Sequence, residues 1–124
     1  MKNNNVILDE TFQFGLRIVK LHLHLMKKKV ERSLVIQVLR SGTSIGANVE
    51  EAMGGSSKKD FVQKLKIAYR EARETNYWLK LLKHSNLLEL KLADSIISDC
   101  EEIIRILTSI LNSSQKAATI NINS

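Results

Sequence analysis

Few residues in this chain could do chemistry, and most are spaced against it. His22 and His24 stand two apart, which points them to different sides of a helix, so they cannot chelate one metal ion. His84 closes a run of basic residues and reads as an exposed helix-end residue in preference to a general base. Glu50-Glu51, Glu71 with Glu74, and Glu101-Glu102 supply carboxylates, but no Glu-x-x-His pair accompanies them. The di-iron signature of ferritin-like bundles is therefore missing. Gly54-Gly55-Ser56-Ser57-Lys58 superficially resembles a phosphate loop but lacks the GxxxxGK[ST] spacing and a preceding strand. Cys100 falls within an apolar seam, the place of a small core residue and not of a nucleophile. A binding or scaffold module with no cofactor and no metal is expected, not an enzyme.

What remains is a charge pattern. Lys59, Gln63, Lys66, Arg70, Arg73, Tyr77, Lys80 and His84 recur at alternating steps of four and three. The series offset by two residues, Phe61, Leu65, Ala68, Ala72, Thr75, Leu79 and Leu82, is the apolar one. Two residues turn a helix by about 200°, so a basic stripe lies roughly opposite a core-facing seam. As a nucleic-acid surface, Lys59, Lys66, Arg70, Arg73 and Lys80 would neutralise phosphates, with Tyr77 free to stack on a base. As ordinary helix surface, the same residues are solvated, are partly offset by Glu71 and Glu74, or pair with acidic groups of a neighbouring subunit. Both readings stand at this point.

The elements that must carry this stripe are helices. The 124 residues suffice for one domain with a real core, but not for two. Aromatics at 5% and a complete lack of proline suit a core of Leu, Ile, Val and Ala and argue against a sandwich or barrel. Four amphipathic segments follow: about Asp9 to Lys28, Arg32 to Met53, Lys58 to His84, and near Leu88 to Leu111. Asp9 or Thr11 is a candidate N-cap for the first, and Gly54-Gly55 ends the second. Ser56 or Ser57 caps the third, with Asp60 in its first turn, and Ser85-Asn86 ends it. Short connectors force neighbours to run antiparallel, so the expected fold is all-α, an up-down-up-down four-helix bundle. The organisation is a flexible N-terminus over 1–8, a bundle over 9–112 and a disordered tail over 113–124.

The faces of the helices carry further expectations. The first helix has two nearly opposite seams: Phe12, Leu16, Val19, Leu23 and Met26, and then Phe14, Ile18, Leu21 and Leu25. A monomeric bundle needs one such stripe per helix, so the second, placed at Phe14, Ile18, Leu21 and Leu25, is expected to be a subunit interface. Leu16, Val19, Val38, Ile45, Val49, Leu65, Ala68, Ala72, Leu79, Ile103 and Leu107 are expected in the core. Ser41, Gly42, Thr43, Ser44, Gly46 and Ala47 crowd the middle of the second helix, where small residues let a neighbouring backbone come close. Arg40, Ser44, Asn48 and Glu51 share a face there, as a polar binding site or as a buried network that sets packing register.

The net charge of +6 makes nucleic acid or an acidic protein a plausible partner. One cysteine excludes an intramolecular disulfide and suits a reducing compartment. Met1 to Asn5 is polar, unlike a signal peptide, and Lys20, His22 and His24 interrupt the longest apolar region. A soluble cytoplasmic protein with no membrane partner is expected.

Three stretches carry a resemblance: Arg40-Ser41-Gly42-Thr43-Ser44-Ile45-Gly46-Ala47-Asn48-Val49-Glu50-Glu51-Ala52, Ser57-Lys58-Lys59-Asp60-Phe61, and Lys64 to Ala68 with Glu71 to Leu79. Together they resemble the bacterial four helix bundle protein family, over roughly Phe12 to Leu111. Its members are encoded in intervening sequences of large-subunit ribosomal RNA genes or stand alone in genomes. The resemblance implies an antiparallel bundle that assembles as a ring-like homopentamer. It also implies kinship with the basic accessory proteins of diversity-generating retroelements, which bind nucleic acid and a reverse transcriptase. It supplies no catalytic residues. The connector Lys27 to Ser33 lacks the Phe-Pro element of many intervening-sequence members, which leaves a stand-alone gene equally open.

Overall fold

Each connector of the chain stops one helix and starts the next with local hydrogen bonds. The computed structural model describes the backbone of residues 2–123 and the side chains of residues 4–114. Its elements are α1 (Lys2–Lys27), α2 (Arg32–Met53), α3 (Lys58–His84) and α4 (Leu90–Asn123), with no strand among the described residues. After α1, Lys29 takes φ 59° and Val30 N–H donates to the Leu25 carbonyl at 3.1 Å. After α3, Asn86 takes φ 59° and Leu87 N–H donates to the Leu82 carbonyl at 3.0 Å. Both are left-handed C-terminal caps that satisfy carbonyls the helix leaves open. Ser57 caps α3 by accepting from Asp60 N–H at 3.1 Å, and the Glu31 carboxylate caps α2 by accepting from Ser33 N–H at 3.3 Å.

The helices pack α1 on α2, α2 on α3, α3 on α4 and α4 back on α1, with none packed across a diagonal. That closes an antiparallel up-down-up-down bundle. The α3 seam Leu65, Ala68, Ala72, Thr75, Leu79 and Leu82 is buried throughout, as are Val38, Ile45 and Val49 of α2 and Ile103 and Leu107 of α4. Between α2 and α3 lies one buried polar contact, Thr75 Oγ1 to Ser41 Oγ at 2.9 Å, and the Ser41 hydroxyl donates to the Gln37 carbonyl at 2.9 Å. A satisfied pair of hydroxyls in an otherwise apolar seam defines how the two helices align.

α1 departs from expectation in two ways. It begins at Lys2 and not near Asp9, so most of the segment expected to be flexible is helical, and Ile7 is fully buried. Thr11 is no N-cap; it is buried inside the helix and its hydroxyl donates to the Ile7 carbonyl at 2.7 Å. The two seams also exchange roles. Phe14, Ile18, Leu21 and Leu25, expected at a subunit interface, lie in the core of the single chain, while Leu16 and Val19, expected in the core, are exposed. The cause is the small-residue notch of α2. A Cβ at Gly42 would stand 2.8 Å from two Ile18 carbons, and one at Gly46 would stand 3.1 Å from the Thr11 carbonyl oxygen. The notch accepts the face bearing Thr11 and Ile18, which turns Phe12 and Leu16 outward. α4 runs on to Asn123, past Asn112, where the amphipathic pattern ends. The expected tail over 113–124 lies, beyond Ser114, outside the residues whose side chains are described.

Candidate nucleic-acid interface

α3 positions the basic stripe because its opposite seam is committed to the core. Lys59, Lys66, Arg70, Arg73, Tyr77 and Lys80 are all exposed, and about 30 Å of helix separates Lys59 from Lys80. Helical spacing brings all six onto one face.

The partners of α3 sort its charges. Lys64 and Lys83, on the flanks, are paired with neighbouring helices: Lys64 with Glu51 of α2 at 3.2 Å and Lys83 with Asp94 of α4 at 2.6 Å. Among the described residues, none of Lys59, Lys66, Arg70, Arg73 and Lys80 forms an ion pair with any carboxylate. The acids best placed to offset them turn away. Glu71 and Glu74 both pair with Arg40 of α2, Glu71 at 3.4 Å, and the Trp78 indole N–H donates to Glu74 at 3.1 Å. The central five cations keep their charge for solvent or a ligand.

The aromatic members are braced. Tyr77 and Trp78 meet edge to face, with ring centroids 5.4 Å apart and planes at 66°, a favourable arrangement for two quadrupoles. The Arg73 guanidinium lies 6.0 Å from the Tyr69 ring centroid, a cation–π distance.

The second polar feature of α2 does not converge. Ser44 donates to the Arg40 carbonyl at 2.7 Å, and the Asn48 amide donates to the Ser44 carbonyl at 2.8 Å. Arg40 and Glu51 are each taken by α3. Arg40, Ser44, Asn48 and Glu51 thus tie α2 to itself and to α3. The buried hydroxyl pair is Ser41 with Thr75, which spacing alone hides because Thr75 sits in an apolar series.

Elsewhere the chemistry is sparse. Cys100 is fully buried with Sγ 3.3 Å from the Ala72 carbonyl. Burial first, and then the Glu101 carboxylate, push its thiol up to about 12, which keeps it protonated and inert. Along the groove between α1 and α4, Arg17 bridges to Asp99 at 2.6 Å and to Ser95 at 2.8 Å. Glu10 beside them is raised above the usual carboxylate range by burial and then by Glu102, Asp99 and Asp9. Among the described residues no group of three or more His, Cys, Asp or Glu side chains is arranged to hold a metal ion, and no helix is long and apolar enough to cross a membrane.

Comparison with known proteins finds a family and related solved structures. A profile of the family described as 23S rRNA-intervening sequence protein matches residues 3–109. Among solved structures, the chain resembles a protein of unknown function from the S23 ribosomal protein family of Bacteroides thetaiotaomicron VPI-5482. The TM-score is 0.86 and the identity 43%, over 89% of this chain and 98% of that one. No curated protein shows significant similarity to the chain.

Proposed function

The chain belongs to the family of 23S rRNA-intervening sequence proteins, and we propose that within it this bundle is a non-enzymatic accessory or scaffold protein that binds the backbone of RNA or DNA through the exposed face of α3. One observation carries the reading: Lys59, Lys66, Arg70, Arg73 and Lys80 share one exposed face without an ion pair among the described residues, while Glu71 and Glu74 are drawn off to Arg40. Five unpaired cations along one helix can displace counterions from a phosphate chain. Replacing Arg70 and Arg73 with Glu should abolish binding of RNA or DNA in fluorescence anisotropy at low salt and leave the mass in solution unchanged. If the variant instead dissociates an oligomer, those arginines belong to a subunit contact and the reading fails.

A second reading has its own observation. Phe12, Leu16, Val19, Leu23 and Met26 form an exposed apolar stripe along α1, with Phe12 64% and Leu23 62% exposed. A stripe of this kind favours self-association. The bundle is then a homo-oligomer built on that face, and the pentameric ring implied by the family resemblance is one closed way to cover it. Association and nucleic-acid binding are compatible, because several copies would present several α3 faces to one strand. A bundle that associates but binds no nucleic acid would be a protein-interaction scaffold.

A further inference from the structure

We propose that the α3 face takes a single strand, with an unpaired base stacked on Tyr77. This rests on the reading of α3 as a nucleic-acid surface and adds which form of nucleic acid it recognises.

Tyr77 lies one turn from Arg73 on one side and from Lys80 on the other, within the basic stripe, and is 58% exposed. The ring is braced by its neighbour. Trp78 packs against the hydrophobic core, meets Tyr77 edge to face and is anchored by its indole N–H on Glu74. Glu74 is in turn fixed by Arg40 on the neighbouring helix. Arg73 leans back over Tyr69, four residues before it, and not forward over Tyr77. An aromatic surface is therefore braced, left open and flanked by cations.

Those are the parts of a stacking platform for single strands: cations that follow the backbone and an aromatic ring that receives a base. A duplex cannot use the ring, because its bases are already paired and stacked on one another. Charge alone would give the opposite preference. A duplex carries about one negative charge per 1.7 Å of axis, more than a single strand, and so attracts an unadorned basic stripe more strongly. Preference for single strands therefore reports Tyr77 and not the lysines and arginines.

The test uses the full chain with labelled oligo-uridylate and oligo-thymidylate, and with RNA and DNA duplexes of the same length, by anisotropy at low salt. Both single strands should bind more tightly than the duplexes. Tyr77→Ala should weaken single-strand binding about tenfold, the usual scale for one stacked base, and leave duplex binding unchanged. Tyr77→Phe, which keeps the ring, should bind like the parent. Trp78 is the only tryptophan, so its emission should change on adding a single strand and stay constant on adding a duplex. A Tyr77→Ala protein that holds single strands as well as the parent overturns the inference, as does tighter binding of duplex. In both cases the nucleic-acid reading survives as binding by charge alone. If no probe binds the parent, the reading and the inference fall together.

Discussion

Gly15 and Gly42 both lie inside helices, yet a methyl group at each meets opposite surroundings. At Gly15 nothing stands within 4 Å of an added Cβ, so Gly15→Ala should stabilise the fold by about 1 kcal/mol through helix propensity alone. At Gly42 the added carbon falls 2.8 Å from both γ carbons of Ile18. These belong to a β-branched side chain with little freedom to move aside. Overpacking of this kind costs about 1–3 kcal/mol and outweighs the propensity gain. Urea unfolding should place Gly42→Ala below the parent, and adding Ile18→Ala should cost less in that background than in the parent. Cys100 makes a prediction in pH. Its thiol is neutral in the fold up to about 12 but ionises near 9.0 once unfolded. The unfolded chain therefore loses its proton first, and stability falls as pH rises between those values. The advantage of the parent over Cys100→Ala should be constant below pH 9.0 and shrink above it.

At the scale of the element, α1 shows what the sequence can and cannot decide. On α3 one face is apolar and its opposite is basic, so periodicity alone assigns Leu65, Ala68, Ala72, Leu79 and the stripe to their sides. On α1 both seams are apolar, and over Phe12 to Met26 nothing separates them. The signal lies one turn earlier. The buried seam extends back through Thr11 to Ile7, whereas the exposed one extends back to Asp9 and Asn5. A start at Asp9 leaves out Ile7 and Asn5 and reads Thr11 as a candidate cap. The other half of the answer, that Gly42 and Gly46 receive Ile18 and Thr11, depends on the partner helix and cannot be read along one element. The α3 stripe was legible, but the diversion of Glu71 and Glu74 to Arg40 was not, since it joins residues on two helices. A mutational contrast follows for α1. Leu16→Glu with Leu23→Glu should preserve helical content and lower the mass found by light scattering if the exposed stripe is the subunit contact. Ile18→Glu should unfold the chain instead, because an uncompensated buried charge costs about 3–5 kcal/mol. Unchanged mass in the first variant would remove this stripe from the interface.

Across the whole molecule one cluster of carboxylates stands apart from the α3 stripe. Asp9, Glu10, Asp99 and Glu102 gather along the α1–α4 groove, while the stripe of Lys59, Lys66, Arg70, Arg73 and Lys80 lies on α3, which does not pack against α1. On the proposed reading a negatively charged polymer meets the α3 stripe away from these carboxylates. For single strands, five cations per copy limit the slope of log K against log salt to about −3.5. A steeper slope would show that more than one copy grips the same strand. The order of packing has a temporal consequence as well. Three of the four seams join helices that follow one another across the short connectors 28–31, 54–57 and 85–89, and only α1 with α4 joins the two ends of the chain. Contacts local in sequence need little loop closure and form early, and a bundle dominated by them folds in microseconds to milliseconds. A nascent chain could therefore dock α1, α2 and α3 in the order they leave the ribosome. Ile103 and Leu107 arrive last, so until α4 is synthesised the core has one open side.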